Sequence, residues 1–282
     1  MDLVRDLATL RERISLIRHQ GKEIGFVPTM GFLHEGHLSL IETAKTQNTY
    51  VVVSIFVNPL QFGAGEDYED YPRDLENDSR LAADAGCDLI FYPAARDFYP
   101  PGYGTFVEVQ GSITEGLCGA SRPGHFRGVT TVLAKLFNLV EPHRTYFGQK
   151  DAQQCLVVKK MLEDLNYNIE FNIMPTVREP DGLAMSSRNK HLTPLQRKAA
   201  PVLYQSLQQA ESLIHNGERD GKLIKDLLER NINAVPGAET DYIQIVDVNE
   251  LKPLSQLAGS CLIALAVRFG TTRLIDNIIV EV

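Results

Sequence analysis

Up to about residue 173 the sequence alternates short apolar runs with amphipathic stretches, and that alternation constrains the fold more than any other feature. Strands covered on both faces read as near-continuous apolar runs, and parallel neighbours need a crossover of a dozen or more residues between them. The runs at 23–28, 50–57, 88–92, 144–147 and 168–173 are therefore predicted strands of one parallel sheet. Helical faces lie between them. Over 125–140, Phe126, Val129, Leu133, Phe137 and Val140 recur at spacings of three and four. A second helix is predicted over 151–165, with Cys155, Val158, Met161, Leu162 and Leu165 on one side and Asp151 as its cap. Residues 104–109 alternate like a short exposed strand, and the Gly-, Pro- and Ser-rich stretch 111–124 reads as a loop leaving the sheet.

The pattern changes after residue 173. Residues 174–194 hold Pro175, Pro180 and Pro194 among many polar side chains, as in a connection between domains, and a connection of that length usually carries function. Helical periodicity returns over 194–216 and 222–232, with Thr193 as an N-cap and Pro194 in the first turn. Strand-like runs follow at 240–248, 261–269 and 273–282, and helices followed by strands predict a small α+β domain. The expected fold class is α/β: a Rossmann-like parallel sheet with flanking helices over 1–175, then a smaller C-terminal α+β domain over 176–282. A length of 282 residues accommodates about two domains.

Charge narrows the partners. Thirty-six acids against 28 bases leave a net charge of −8, which opposes non-specific adhesion to nucleic acid or anionic membrane. Every apolar run falls well short of the ~20 residues that span a bilayer. The opening Met1-Asp2-Leu3-Val4-Arg5-Asp6 lacks the layout of a secretory signal. A cytoplasmic protein with no nucleic-acid or membrane partner is expected. Cys87, Cys118, Cys155 and Cys261 form no C-x-x-C pair and are expected to be reduced thiols.

The first chemistry-bearing segment is Val27-Pro28-Thr29-Met30-Gly31-Phe32-Leu33-His34-Glu35-Gly36-His37, between a predicted strand and a helical stretch. Ligands of open parallel sheets bind beyond the carboxyl ends of the strands, where a helix N-terminus offers N–H groups and positive potential to a phosphate. His34 and His37 are one helical turn apart, so both can face one anion. The string H-E-G-H is one residue short of the zinc motif H-E-x-x-H, and no third ligand is evident. The G-x-G-x-x-G and G-x-x-x-x-G-K-[ST] fingerprints are absent. On spacing alone, phosphate binding and a plain helix cap both remain open.

H-x-G-H at the first helix of such a sheet is similar to the phosphate-binding signature of the nucleotidylyl transferase superfamily, and Met185-Ser186-Ser187-Arg188-Asn189 to its serine-rich second loop. The wider pattern is Pro-Thr-Met-Gly-x-Leu-His-x-Gly-His at 28–37, Phe-Val-Asn-Pro-x-Gln-Phe at 56–62, Tyr-Pro-Arg at 71–73 and Arg-Pro-Gly-His-Phe at 122–126, continued by Phe-Gly-x-Lys-Asp-x-Gln-Gln at 147–154 and Arg-Glu-x-Asp-Gly-Leu-Ala-Met-Ser-Ser-Arg-Asn at 178–189. In that order, over almost the whole chain, it resembles the pantothenate synthetase family, the pantoate–β-alanine ligases. Gln149, where many relatives have Glu, and Phe32, in place of a smaller residue, are its small departures.

The resemblance implies ATP-dependent condensation of pantoate with β-alanine for pantothenate and coenzyme A biosynthesis. Pantoate attacks the α-phosphate of ATP to give pantoyl adenylate and pyrophosphate, and the β-alanine amine then displaces AMP. It implies that His34, His37, Lys150, Ser186, Ser187 and Arg188 act on the phosphates, the last three from a mobile lid. Met30, Gly148, Asp151, Val177 and Met185 would hold the nucleoside. Gln61 and Gln154 would bind the pantoate hydroxyls, since an amide both donates and accepts. Pro28, Met30 and Phe62 would form an apolar wall, Asn58 would meet the β-phosphate or the incoming amine, and His125, beside Arg122, would support the pocket. Mg²⁺ would accompany ATP, with Asp78 as its ligand, and the protein would be a homodimer. Two other readings are an adenylyltransferase of the same superfamily with another acceptor, and a non-catalytic nucleotide-binding regulator. The second is opposed by the presence of His34, His37, Lys150 and Arg188.

Overall fold

The computed structural model describes residues 1–63, 65–66 and 68–282. Among the described residues nine strands are formed: β1 (Asp2–Val4), β2 (Ile24–Thr29), β3 (Tyr50–Ile55), β4 (Leu89–Phe91), β5 (Arg144–Gly148), β6 (Glu170–Met174), β7 (Ala238–Asp247), β8 (Ser260–Phe269) and β9 (Thr272–Glu281). The first six make a sheet in the order β1-β4-β3-β2-β5-β6, every pair parallel. The last three make an antiparallel sheet in sequence order. This is the predicted α/β sheet followed by a small α+β unit.

The chain divides into two compact units. One comprises Met1–Val109, Ser121–Gly148 and Val157–Pro175; the other comprises Gln110–Ala120, Gln149–Leu156 and Thr176–Val282. In the first, Val51, Val52 and Val53 of β3 are all fully buried, because helices cover both faces of a parallel sheet and leave no solvent side to alternate toward. After β4 the chain returns to the other side of β2 and pairs β5 there, Gly25 opposite Arg144. The strand order thus reverses at β2, and the crevice beyond the carboxyl ends of β2 and β5 is the topological switch point of the sheet. In the second unit, the helices Val202–His215 and Gly221–Asn233 bury Leu207, Ile214, Ile224 and Leu228 in one core with Ile243, Ile263 and Leu265 of the sheet.

Several local expectations are corrected. β1, only three residues long, was not predicted, since it is too short to show a period. Residues 104–109 form no strand. At Val107 helix side chains take the place of a neighbouring strand: its N–H donates to Thr131 Oγ1 at 3.0 Å and its carbonyl accepts from Thr130 Oγ1 at 2.6 Å. The stretch 111–124 is no plain loop but carries two short helices, Ser112–Glu115 and Leu117–Ser121. Gln153 stitches them, its Nε2 donating to Ile113 O and Gly116 O and its Oε1 accepting from Cys118 N. Asp151 belongs to the 3₁₀ turn Gln149–Asp151 that leads into the helix Ala152–Asp164, and Leu165 lies exposed beyond that helix. The helix expected over 194–216 is two, Pro194–Ala199 and Val202–His215, parted at Pro201, which has no N–H to continue the ladder. Thr193 caps the first of them in a reciprocal box with Gln196. The four cysteines are not joined in disulfides, and among the described residues no helix is long and apolar enough to cross a membrane.

Candidate active site

The segment after β2 turns sharply from strand to helix. Thr29 Oγ1 donates to Ser54 O and accepts from Gly31 N, fixing the turn to β3. Gly31 and Phe32 then take φ of +85° and +53°. At Gly31 only glycine fits: a Cβ would lie 2.9 Å from Ile55 Cγ2 and 3.0 Å from Asp78 Oδ2. Phe32 adopts a conformation that a bulky L residue rarely takes. It is held there by Asp78, whose two carboxylate oxygens accept the N–H groups of Phe32 at 2.8 Å and Leu33 at 2.7 Å.

This geometry replaces the expectation of Asp78 as a magnesium ligand. The side chain is 1% exposed, and both oxygens are engaged by main-chain donors. Among the described residues no group of three or more His, Cys, Asp or Glu could hold a metal ion. Asp78 anchors the loop. Its sequence position in an acidic helix looks the same whether the helix face is solvated or turned inward. Burial raises its carboxyl above the ordinary 3.8, against the pull of the two N–H donors. A raised value means that the folded chain favours the neutral acid. This contribution to stability is therefore present below 3.8 and is lost as pH climbs through the raised value. Asp78→Asn, which cannot ionise, is expected to gain stability relative to the parent as pH rises. Urea unfolding of both proteins at about pH 4 and about pH 7.5 reads this linkage, and a difference that stays constant between them would contradict it.

The two histidines stand at the start of the helix Glu35–Gln47. His34 is its N-cap: its Nδ1 accepts from Gly36 N at 3.2 Å, while His37 Nδ1 accepts from His34 N at 3.4 Å. The rings lie 4.1 Å apart. A ring whose Nδ1 accepts carries its proton, when neutral, on Nε2. Capping and anion binding are thus compatible, since they use opposite nitrogens of each ring. The helix terminus adds its own partial positive charge.

The 3₁₀ turn Pro59–Gln61 presents Gln61, whose Nε2 approaches Met30 Sδ at 3.3 Å. Asn58, expected to meet the β-phosphate or the incoming amine, faces the protein instead. It is 1% exposed and wholly engaged by the protein, its Nδ2 donating to Gln61 Oε1 and Gly128 O, its Oδ1 accepting from Leu60 N and Tyr99 Oη. Asn58 therefore aims Gln61. His125, buried at the start of the helix His125–Val140, donates from Nδ1 to Gln61 O and takes Arg122 Nη1 at Nε2. Arg122 in turn forks onto Glu66, holding the Glu66 carboxyl below its ordinary range. Phe62 packs edge-on against Tyr68 and Tyr71, and Pro28 is half-buried within β2. Gly148 closes β5.

The remaining candidates belong to the second unit. Lys150 lies in the 3₁₀ turn with its Nζ 3.8 Å from the Asp151 carboxylate. Gln154 is half-buried on the following helix, next to the structural Gln153. Val177 and Met185 face each other across a hairpin, Met185 N donating to Val177 O at 3.0 Å, with an antiparallel bridge between Arg178 and Ala184. Ser186 caps the 3₁₀ turn Ser187–His191 by accepting from Arg188 N. So Met30, His34, His37, Gln61, Phe62 and His125 come from the first unit, and Lys150, Asp151, Gln154, Val177, Met185, Ser186, Ser187 and Arg188 from the second. Sequence reading missed Asp276 and Asn277, whose contacts are described below. The available signal was a polar pair interrupting the apolar run Leu274 to Val280.

Residues 2–279 match the family model described as pantoate-beta-alanine ligase. The chain is 56% identical over 282 residues to the pantothenate synthetase of Moorella thermoacetica, covering 100% of this chain and 99% of that one. It is 57% identical to that of Heliobacterium modesticaldum, covering 99% and 100%. Among solved structures, pantothenate synthetase from Thermus thermophilus superposes with a TM-score of 0.94 at 48% identity, covering 99% of both chains. The pantoate-beta-alanine ligase of Francisella tularensis, complexed with beta-gamma ATP and beta-alanine, gives 0.82 at 36% identity over 99% of this chain and 97% of that one. With a family match that spans the motifs and the geometry just described, the chain belongs to the pantoate–β-alanine ligase family.

Proposed function

We propose that the protein joins pantoate to β-alanine at the expense of ATP, through pantoyl adenylate. The observation that carries this reading is the pair His34 and His37, each with Nδ1 turned to the helix backbone at the switch point of a parallel sheet. The Nε2–H groups then donate to the phosphates of ATP, where charge builds as the pantoate carboxylate attacks the α-phosphorus and the bond to pyrophosphate breaks. A carboxylate is a poor acylating agent until its oxygen joins a good leaving group, and adenylation supplies one. In the second step the β-alanine amine attacks the acyl carbon, AMP departs with the carboxylate oxygen, and the ammonium proton is lost to solvent.

Lys150 and Arg188 supply cations and Ser186 and Ser187 hydroxyl donors for ATP phosphates, the guanidinium fork suiting the oxygens that leave as pyrophosphate. Gln61, aimed by Asn58, and Gln154 hydrogen-bond the pantoate hydroxyls, while Met30, Pro28 and Phe62 meet its methyl groups. Asp151 serves the ribose, and Val177 and Met185 the adenine. Magnesium would accompany ATP as its chelate and neutralise phosphate charge. With Asp78 committed to the loop, no step is assigned to a protein-bound ion. Two copies of the chain form the working assembly.

The test is a split reaction. Protein with Mg²⁺, ATP and pantoate is expected to release pyrophosphate in an amount near the enzyme concentration, and adding β-alanine then to start turnover, with AMP and pantothenate seen by mass spectrometry. Pantoate-independent ATP cleavage, or pyrophosphate release driven by a different carboxylate, would point to another acceptor and overturn the reading.

A further inference from the structure

Two adjacent polar residues interrupt β9, both buried: Asp276 is 3% exposed and Asn277 is 4% exposed. Buried polar groups in a strand weaken a fold unless they are matched, so their partners show what they are for. Asn277 Nδ2 donates to the main-chain oxygens of Gln149 at 3.0 Å and Lys150 at 2.9 Å, and its Oδ1 faces Gln149 Nε2 at 3.4 Å. The neighbouring Asp276 accepts the Asn277 N–H and receives the Arg178 guanidinium in a two-bond fork at 2.7 and 2.9 Å. Arg178 also stacks 3.5 Å over the Tyr204 ring and donates to Gly182 O, which fixes it within the hairpin that leads to Ser186. Successive residues of a strand point to opposite faces. One pair on β9 therefore grips two separate segments of the same unit, the lysine turn and the serine–arginine hairpin.

The chemistry of the contact selects the residue. Two carbonyl oxygens must be met by two N–H donors from one side chain, and a primary amide supplies both. Aspartate of the same shape would set lone pairs against both carbonyls, and alanine would leave them without Asn277 as donor.

We propose that Asn277 is a positioning residue of the ligase reaction, holding the main chain of Lys150 so that its ammonium meets the ATP phosphates, while Asp276 holds the serine–arginine hairpin through Arg178. This rests on the function proposed above. Asn277 touches no substrate and acts through Lys150. Displacing a positioned charge by ~1 Å costs about 10²-fold in rate.

The experiment is a double-mutant cycle on the full-length protein, read as pantoate-dependent pyrophosphate release under single-turnover conditions, with steady-state constants alongside. Asn277→Ala is expected to lower the rate by about 10- to 100-fold while KM for pantoate stays within about twofold. In a Lys150→Ala background the same change is expected to cost less than about twofold, because the group it positions is gone. An equal loss in both backgrounds would mean general packing and overturn the proposal, as would no loss in either. If Asn277→Ala loses its cooperative thermal transition, the isosteric Asn277→Asp carries the same comparison. Asn277→Asp also adds a pH signature: activity should recover relative to the parent as pH falls and its carboxyl gains a donor proton, and a pH-independent ratio would count against the role. A parent protein without pantoate-dependent pyrophosphate release sinks the functional reading, and this proposal with it. A parent that works beside an equally active Asn277→Ala sinks this proposal alone.

Discussion

Replacing His37 with alanine is expected to slow pantoate-dependent pyrophosphate release by about 10²- to 10³-fold, the usual cost of deleting one pre-aimed donor from developing charge. The magnitude follows from how the ring is held. His37 Nδ1 is tied to the His34 N–H, so under the function proposed above the orientation of Nε2–H is set before ATP arrives and need not be organised during the reaction. The same substitution removes half of the reciprocal cap, which costs about 1 kcal/mol of stability and lowers Tm by only a few degrees. The two effects are separable. His37→Gln, which keeps an N–H donor at nearly the Nε2 position, is expected to recover about tenfold of the lost rate without restoring the ring contact to His34. Single-turnover release at saturating ATP measures it. A loss below threefold, with the drop in Tm intact, would reduce His37 to a cap.

Gly128→Ala is expected to produce the largest change in stability. Gly128 lies inside the helix His125–Val140, and a Cβ there would stand 2.2 Å from Leu60 O and 2.6 Å from Gln61 Cα. Those are backbone atoms of the turn that carries Gln61, so no flexible side chain can yield. Gly128 O also accepts from Asn58 Nδ2, which ties helix and turn together at the point where they would be forced apart. Overpacking of this kind costs about 3 kcal/mol, or roughly 6–12 °C in Tm for a protein of this size. Displacing Gln61 also raises KM for pantoate under the function proposed here, with less effect on KM for ATP. Thermal unfolding and the two KM values check it, and an unchanged Tm would show that helix and turn separate at no cost. A glycine inside a helix ordinarily weakens it by about 1 kcal/mol. Here close approach to the turn requires it.

His34 and His37 were legible because their position is a local property. They follow an apolar strand, precede a helix and sit one turn apart, and each of those facts lies within a dozen residues. Thr193 was legible as a cap for the same reason. Asn58 and Asp78 were picked out by sequence but misassigned in contact. Asn58 spends its amide on Gly128 O, 70 residues away, and Asp78 reaches back 46 residues to Phe32 N. No window of sequence shows whether a polar side chain beside a site faces a ligand or props up the loop that does.

By itself the sequence determined the parallel sheet, the α+β unit after it and the place of segments such as 28–37 between strand and helix, because periodicity, capping and turn residues act between near neighbours. Only the tertiary structure decided which polar side chains support those segments. Asn277 meets the carbonyls of Gln149 and Lys150 across 128 and 127 residues of chain, and Arg178 meets Asp276 across 98. A buried donor is matched by whatever acceptor the folded backbone brings within 3 Å, and that pairing exists only once the strands and helices have packed.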